Sequence, residues 1–395
     1  MGIGLVDPIL PSIAEKLNAT QTQSELLFTT YLALTGVAMF FTSWLSSRIG
    51  VKTTLLIGLS VVVVFAIACS ASPAVTQIIG FRAGWGIGNA LFISTALGAM
   101  VSAAVGGSAR AIILYETALG IGMAIGPLTG GLLGSITWRA PFMGTAVLMA
   151  IGFLAIALML RSDSNSKAIT AGHANNQHQN MHAGRVHLSA PFKALANPGM
   201  GTMGAAAFFY NMAFFTTLAF PPFVLARHGL GSAVTIGLVF FGWGSCLAIS
   251  AVIVAPRLTR LLRRIRVLQI AQVTLAAIML LCALSVDHAV ALIVCVILAG
   301  IPLGLLNTVL TECSMEASDL PRPVASSTYS GCRFLGGAIA PPLCTFLAAH
   351  TTTWMPFLYG AAMILVSCLI ITARRTSLAR ADVVVIDELE EAEAV

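Results

Sequence analysis

Residues 120–134 read GIGMAIGPLTGGLLG, inside an apolar run from Ala111 to Ile136 that is long enough to span a bilayer as a helix. Gly122, Gly126, Gly130 and Gly134 recur at every fourth position. On a helix such positions align as a groove without side chains, into which a second backbone fits. Pro127 interrupts the groove; it deprives the Met123 carbonyl of its helical partner and is expected to bend the helix. Water would make a poor helix of this stretch. A bilayer forces every backbone group to pair internally, so the same residues read as a helix built for tight packing with one flex point.

The rest of the chain agrees with a bilayer setting. Of 395 residues, 57% are hydrophobic and 9% charged, against roughly 25% charged in an ordinary soluble domain. The expected fold is an all-α integral membrane protein. Spans fall near 1–17, 25–46, 54–72, 75–103, 111–135 and 140–160, then near 200–224, 232–256, 267–285, 288–316, 324–348 and 354–373. Twelve transmembrane helices thus form two six-helix bundles, 1–160 and 200–373, joined by a linker at 161–199 and followed by a tail at 374–395. The linker is rich in Ser, Asn, Gln and His, and its Ser189–Asn197 end is expected to form a short surface helix. His173, His178, His182 and His187 are irregularly spaced and read as linker polarity, so no metal site is expected. The first span has at most 17 residues and contains Asp7, Pro8 and Pro11. It is short for a bilayer, and helix 1 is expected to lack its start.

Net charge is +6, which in such a chain belongs to loops beside an anionic membrane surface rather than to nucleic-acid binding. Sixteen basic residues, Arg48, Lys52 and Arg110 among them, fall on the side of the linker, against Lys16, Arg139 and Arg227 on the other. The positive-inside rule then puts both termini in the cytoplasm, with a bacterial inner membrane as the expected location and a monomer as the expected form. The eight cysteines lie scattered in apolar runs and read as small fillers. Neither a Walker loop, a nucleophile elbow nor an HExxH stretch is present; no enzyme chemistry and no cofactor other than coupling protons is expected.

The halves repeat each other. Tyr115 precedes Pro127 by the interval at which Tyr329 precedes Pro341, and Gly122, Ala124 and Ile125 answer Gly336, Ala338 and Ile339. A parallel repeat of six helices predicts two bundles about a twofold axis along the membrane normal, with a cavity between them at the midplane.

With these residues in view, the chain resembles the major facilitator superfamily of transporters, over everything but the linker and tail. GIGMAIGPLTGG is similar to the helix 5 motif C of the antiporter branches, with Gly122, Gly126, Pro127, Gly130 and Gly131 in register. IGFRAGWGIGNA (79–90) resembles motif B, keeping Arg82, Gly86 and Gly88 but carrying Trp85 where glutamine is common. SWLSSRIGVK (43–52) resembles motif A, keeping Arg48, Gly50 and Lys52, with Ser43 for the usual glycine and Ser47 for the usual acid. VDPILPSI, WRAPF and SSTYSGCRFLGGAIAPP extend the likeness to bacterial drug:proton antiporters. The resemblance implies that Asp7 takes up protons or cations and that Arg82 controls it.

Charges inside spans are costly unless paired or facing water, so they mark mechanism. Asp7 and Arg82 each lie roughly 12 to 15 Å below the outer surface at 1.5 Å per residue, close enough in depth to meet. They read either as a proton-coupling pair or as a permanent structural ion pair. Glu312 and Arg333 are expected to pair within the second bundle, and Glu116 to be either an inner gate contact or a solvated helix start. The substrate cavity is expected to draw on Tyr31, Phe209, Tyr210, Asn211, Phe214, Trp243 and Asn307. Aromatic walls with few polar groups suit lipophilic or aromatic small molecules, including cations held by ring faces, better than sugars or phosphates. The function expected is drug export by proton antiport through alternating access. Export of an endogenous metabolite such as a siderophore, or a transport-inactive sensor or scaffold, are the alternatives.

Overall fold

The computed structural model describes residues 4–6, 13, 16–104, 108–160 and 186–382. Asp7, most of the first span, the linker at 161–185 and the tail beyond 382 lie outside the described residues. Eleven helices among the described residues are long and apolar enough to cross a membrane. In chain order the first half provides α1 (Gln21–Ile49), α2 (Val51–Ala71), α3 (Val75–Ala103), α4 (Ser108–Ile136) and α5 (Ala140–Met159). The short α6 (Ala190–Leu195) forms within the Ser189–Asn197 stretch. The second half adds α7 (Pro198–Ala219), α8 (Pro221–Arg227), α9 (Ala233–Ile249), α10 (Ala255–Leu261), α11 (Arg264–Leu284), α12 (Ala289–Glu316), α13 (Arg322–His350) and α14 (Met355–Ala373).

Local chemistry sets several boundaries. Thr20 caps α1 through a box with Gln23, Asn197 accepts the first amides of α7, and Ser232 caps α9. Prolines occupy the first turns of α5, α7 and α14, where their missing N–H has no helical partner to lose. Between α1 and α2 the chain turns on Gly50 alone, at φ 86. A Pro–Pro pair at 221–222 separates α7 from α8, and the π-helical turn Ser250–Val254 joins α9 to α10.

The parallel repeat is visible in which helices touch. In the first half α3 packs on α1 and α2, and α2 packs on α5; in the second half α12 packs on α9 and α11, and α11 on α14. Across the halves, α1 and α3 lie on α13 just as α9 and α12 lie on α4. Each contact therefore has a mate related by the repeat, and the two crossing seams are α4 with α9 and α1 with α13.

Those seams differ in kind. Along α4 with α9, backbone meets backbone: a Cβ placed on Gly244 would stand 2.5 Å from Cα of Ala124, and one on Gly237 would stand 2.7 Å from the Pro127 carbonyl oxygen. Gly120 faces Ala248 at 3.0 Å and Gly131 faces the Ala233 carbonyl in the same way. Along α1 with α13 the contacts are mixed: Gly36 lies against both the backbone nitrogen and the side chain of Leu335, and Gly331 lies under the Phe40 ring.

The glycine ladder is shared out differently from a single groove against α9. Each four-residue step overshoots a full helical turn by about 40°, so the ladder winds around α4. Gly126 and Pro127 meet Gly4, and Gly130 meets Leu5, in the first segment. The stripe that faces α9 is Gly120, Ala124, Pro127 and Gly131, whose spacings of four, three and four hold one face. Despite Pro127, α4 continues from Ser108 to Ile136.

Candidate functional site

Three polar groups built around arginines stand in the apolar interior. The first surrounds Arg82, which is only 1% exposed. Its Nε donates to the Leu27 carbonyl at 2.8 Å, and its guanidinium stands over the rings of Tyr31 (4.8 Å), Trp85 (5.3 Å) and Phe28 (5.9 Å). Trp85 thus supplies one wall of an aromatic cage and passes the contact on to Phe142. Gly86 and Gly88 allow the approach: a Cβ on Gly86 would meet the Tyr31 carbonyl oxygen at 2.5 Å, and one on Gly88 would press on α2 at Gly58 and Val62. Asp7 falls outside the described residues, so its relation to Arg82 is not part of this geometry.

The second group lies between the halves around Arg333, within α13. Its Nε donates to Oδ1 of Asn211 at 3.3 Å and its Nη2 to Oδ1 of Asn307 at 2.5 Å. Asn211 returns a bond from Nδ2 to the Arg333 carbonyl at 2.6 Å, fixing side chain and backbone together. Tyr210 donates to the same Asn307 oxygen at 2.6 Å. One turn along α12 from Asn307, Thr311 lies 2.9 Å from Oε1 of Glu116. Glu116 is 1% exposed, so it is neither solvated nor at a free helix start.

The third group corrects an expected pairing. Glu312 does not pair with Arg333; Oε2 lies 3.4 Å from Nε of Arg264, which also bonds Glu316. Helix rotation explains it. Asn307 and Thr311 share the face that looks between the halves, and Glu312 is turned about 100° from Thr311, toward α11. Glu312 and Glu316 are one turn apart and grip the buried Arg264 together, while Asp382 caps the Ile265 amide at 3.2 Å.

The expected cavity residues separate into two sets. Tyr31 belongs to the Arg82 cage. Tyr210, Phe214 and Trp243 stack edge to face, with centroids 6.1 and 5.5 Å apart, beside Asn211 and Asn307. Phe209 packs on Phe208 at 5.4 Å. In this closed arrangement the rings fill much of one another's space.

Both ends of the α1–α13 side are closed. At the linker end Ser326 donates to the Ser94 carbonyl at 2.9 Å, and Gly98 meets Pro323. At the other end Thr345 bonds Glu25, a buried acid not among the charges read as lying inside spans. Its signal was its place beyond the first turn of α1, where an acid no longer benefits from the free amides. The motif A loop also acquires definite partners. Lys52 donates to the Ala157 carbonyl at the end of α5 at 2.8 Å, Arg48 lies over Trp44, and Ser47 accepts the Val186 amide from the linker at 3.2 Å.

Two helical halves with matching contacts and buried charges at their interface are the architecture of a membrane transporter rather than an enzyme. The chain belongs to the Major Facilitator Superfamily, whose family description matches residues 1–341. It is 45% identical over 381 residues to the multidrug efflux protein YfmO of Bacillus subtilis (strain 168), covering 96% of this chain and 91% of the relative. The tetracycline resistance protein, class C, of Escherichia coli is 29% identical over 159 residues, 39% of this chain and 40% of that protein. The crystal structure of the human organic anion transporter MFSD10 (TETRAN) shares the fold, with a TM-score of 0.72, 14% identity and coverage of 94% of this chain and 95% of that one.

Proposed function

We propose that this transporter is an exporter of lipophilic or aromatic small molecules, driven by proton antiport through alternating access. The reading rests above all on the α4–α9 seam. Motif C residues there bring two backbones into direct contact between the halves, and the resemblance assigns that motif to antiporters. The 45% identity to a multidrug efflux protein supports the same reading. The protein is taken to act as a monomer in a bacterial inner membrane with both termini in the cytoplasm, by the distribution of basic residues.

Asp7 is proposed to exchange protons and Arg82 to bias it. A nearby arginine favours the ionised acid, while loss of water favours the neutral one, so substrate arrival shifts the balance. Protonation and substrate binding are then linked reciprocally. The rings of Tyr210, Phe214 and Trp243 would hold apolar and aromatic parts of the substrate once the halves separate. In inverted vesicles, accumulation of a lipophilic fluorescent dye should collapse with the pH gradient and should fail in Asp7→Asn. Accumulation insensitive to the gradient, or normal transport by Asp7→Asn, rules the mechanism out.

A further inference from the structure

Glu116 carries two features that favour the protonated form of its carboxyl. The first is proton counting at Thr311. Its Oγ1 lies 2.9 Å from Oε1 of Glu116 and 2.7 Å from the carbonyl oxygen of Asn307. A hydroxyl has one proton to give, and a carboxylate and a carbonyl both only accept. Threonines inside helices give that proton to the carbonyl one turn back. Both contacts are hydrogen bonds at once when the carboxyl holds a proton and donates it to Thr311, whereas an ionised carboxylate must draw the hydroxyl proton away from the Asn307 carbonyl.

The second feature is Oε2, which is buried without a hydrogen-bond partner among the described residues. A charged carboxylate offers about four acceptor sites, and burying it with most of them empty is strongly unfavourable. A neutral acid bears this far better. Arg333, the cation whose charge reaches Glu116, is engaged with the amide oxygens of Asn211 and Asn307.

The groups that act on Glu116 come from every side of the interface. They are Tyr115 on α4 itself, Thr311 on α12, Tyr329 and Arg333 on α13, and Tyr210 on α7. The other helices packed on α4 bring no charge except Arg82 of α3, which is held at the Leu27 carbonyl.

We infer that Glu116 is a proton-binding site of the interface between the halves, separate from Asp7, occupied while the halves are closed. When α4 and α12 part, the proton passes from the carboxyl to water and the carboxylate left behind is balanced by Arg333. Its role in transport rests on the proton-antiport reading; its protonation does not.

Infrared difference spectroscopy of the full chain in lipid nanodiscs tests the site. At neutral pH the carbonyl stretch of a protonated carboxylic acid should be present, should disappear in Glu116→Gln, and should remain in Asp7→Asn. Thr311→Val should move it to the higher frequency of an unbonded acid. Should Glu116→Gln fail to assemble, Glu116→Asp takes its place and must shift the band. Absence of the band in the wild type, its survival in Glu116→Gln or its immobility in Glu116→Asp overturns the inference. A band that behaves as expected while dye accumulation ignores the pH gradient would keep this site and remove proton antiport.

Discussion

Gly244→Ala adds one methyl group to the seam between α4 and α9, where two backbones already touch. The new Cβ would stand 2.5 Å from Cα and 2.6 Å from N of Ala124, and 2.8 Å from the carbonyl carbon of Met123. All three are backbone atoms in the middle of a helix, so no side chain can turn aside. Carbon–carbon contact needs about 3.5 Å; the seam must open by about 1 Å. Overpacking of this kind costs about 1–3 kcal/mol. If the cost falls on the closed form alone, its population against open forms drops by about 5- to 150-fold, at 1.4 kcal/mol per tenfold. Spin labels at Ile136 and Arg227, both exposed at the end of the seam away from the linker, would report this as a new population at longer distance. Gly80→Ala is the control, because a Cβ there meets nothing within 4 Å. A single unchanged distance in Gly244→Ala, or the same broadening in Gly80→Ala, would refute the argument.

Other expectations follow from single contacts. Arg82→Lys keeps the charge but loses the flat stack on Tyr31 and Trp85, and should slow dye efflux about tenfold while the protein still inserts; wild-type rates would show that charge alone matters. Gly50→Ala places a side chain at φ 86, a strain of about 1–3 kcal/mol, and should lower the thermal unfolding midpoint of purified protein; an unchanged midpoint counts against the turn. Asn211→Ala leaves Nε of Arg333 without its partner and removes the second bond to its carbonyl, at about 1–3 kcal/mol for a buried polar group left unmet. The same thermal assay checks it, with Phe209→Leu as a variant that leaves these bonds intact.

Much of the fold was legible because a bilayer imposes a length on every span, and apolar runs in this chain keep to it. The polar linker and the paired Tyr–Pro intervals of residues 115–127 and 329–341 were equally open to reading, since neither depends on side-chain direction. What sequence could not fix was rotation about each helix. Glu312 and Thr311 are neighbours, yet one faces Arg264 and the other Glu116, and only packing decides which. The ladder posed the same difficulty: a spacing of four looks like one stripe on paper but winds around a real helix. Glu25 stands at the edge of its apolar run, where an acid has an ordinary explanation until its burial is known. Asp7 was legible as chemistry and lies outside the described residues.

The glycine-rich helix α4 carries three distinct faces. Gly120, Ala124, Pro127 and Gly131 meet α9, Gly126 and Gly130 meet the first segment, and Ile121, Ile125 and Leu132 are exposed on the third side. Tolerance to inherited change should therefore be uneven in kind as well as in place. Exchanges among aliphatic residues at 121, 125 and 132 leave both contacts alone. One residue inserted between Gly120 and Gly131 would turn everything beyond it by about 100°, exchanging glycine for isoleucine on two surfaces at once. This stretch can drift in letter but not in length.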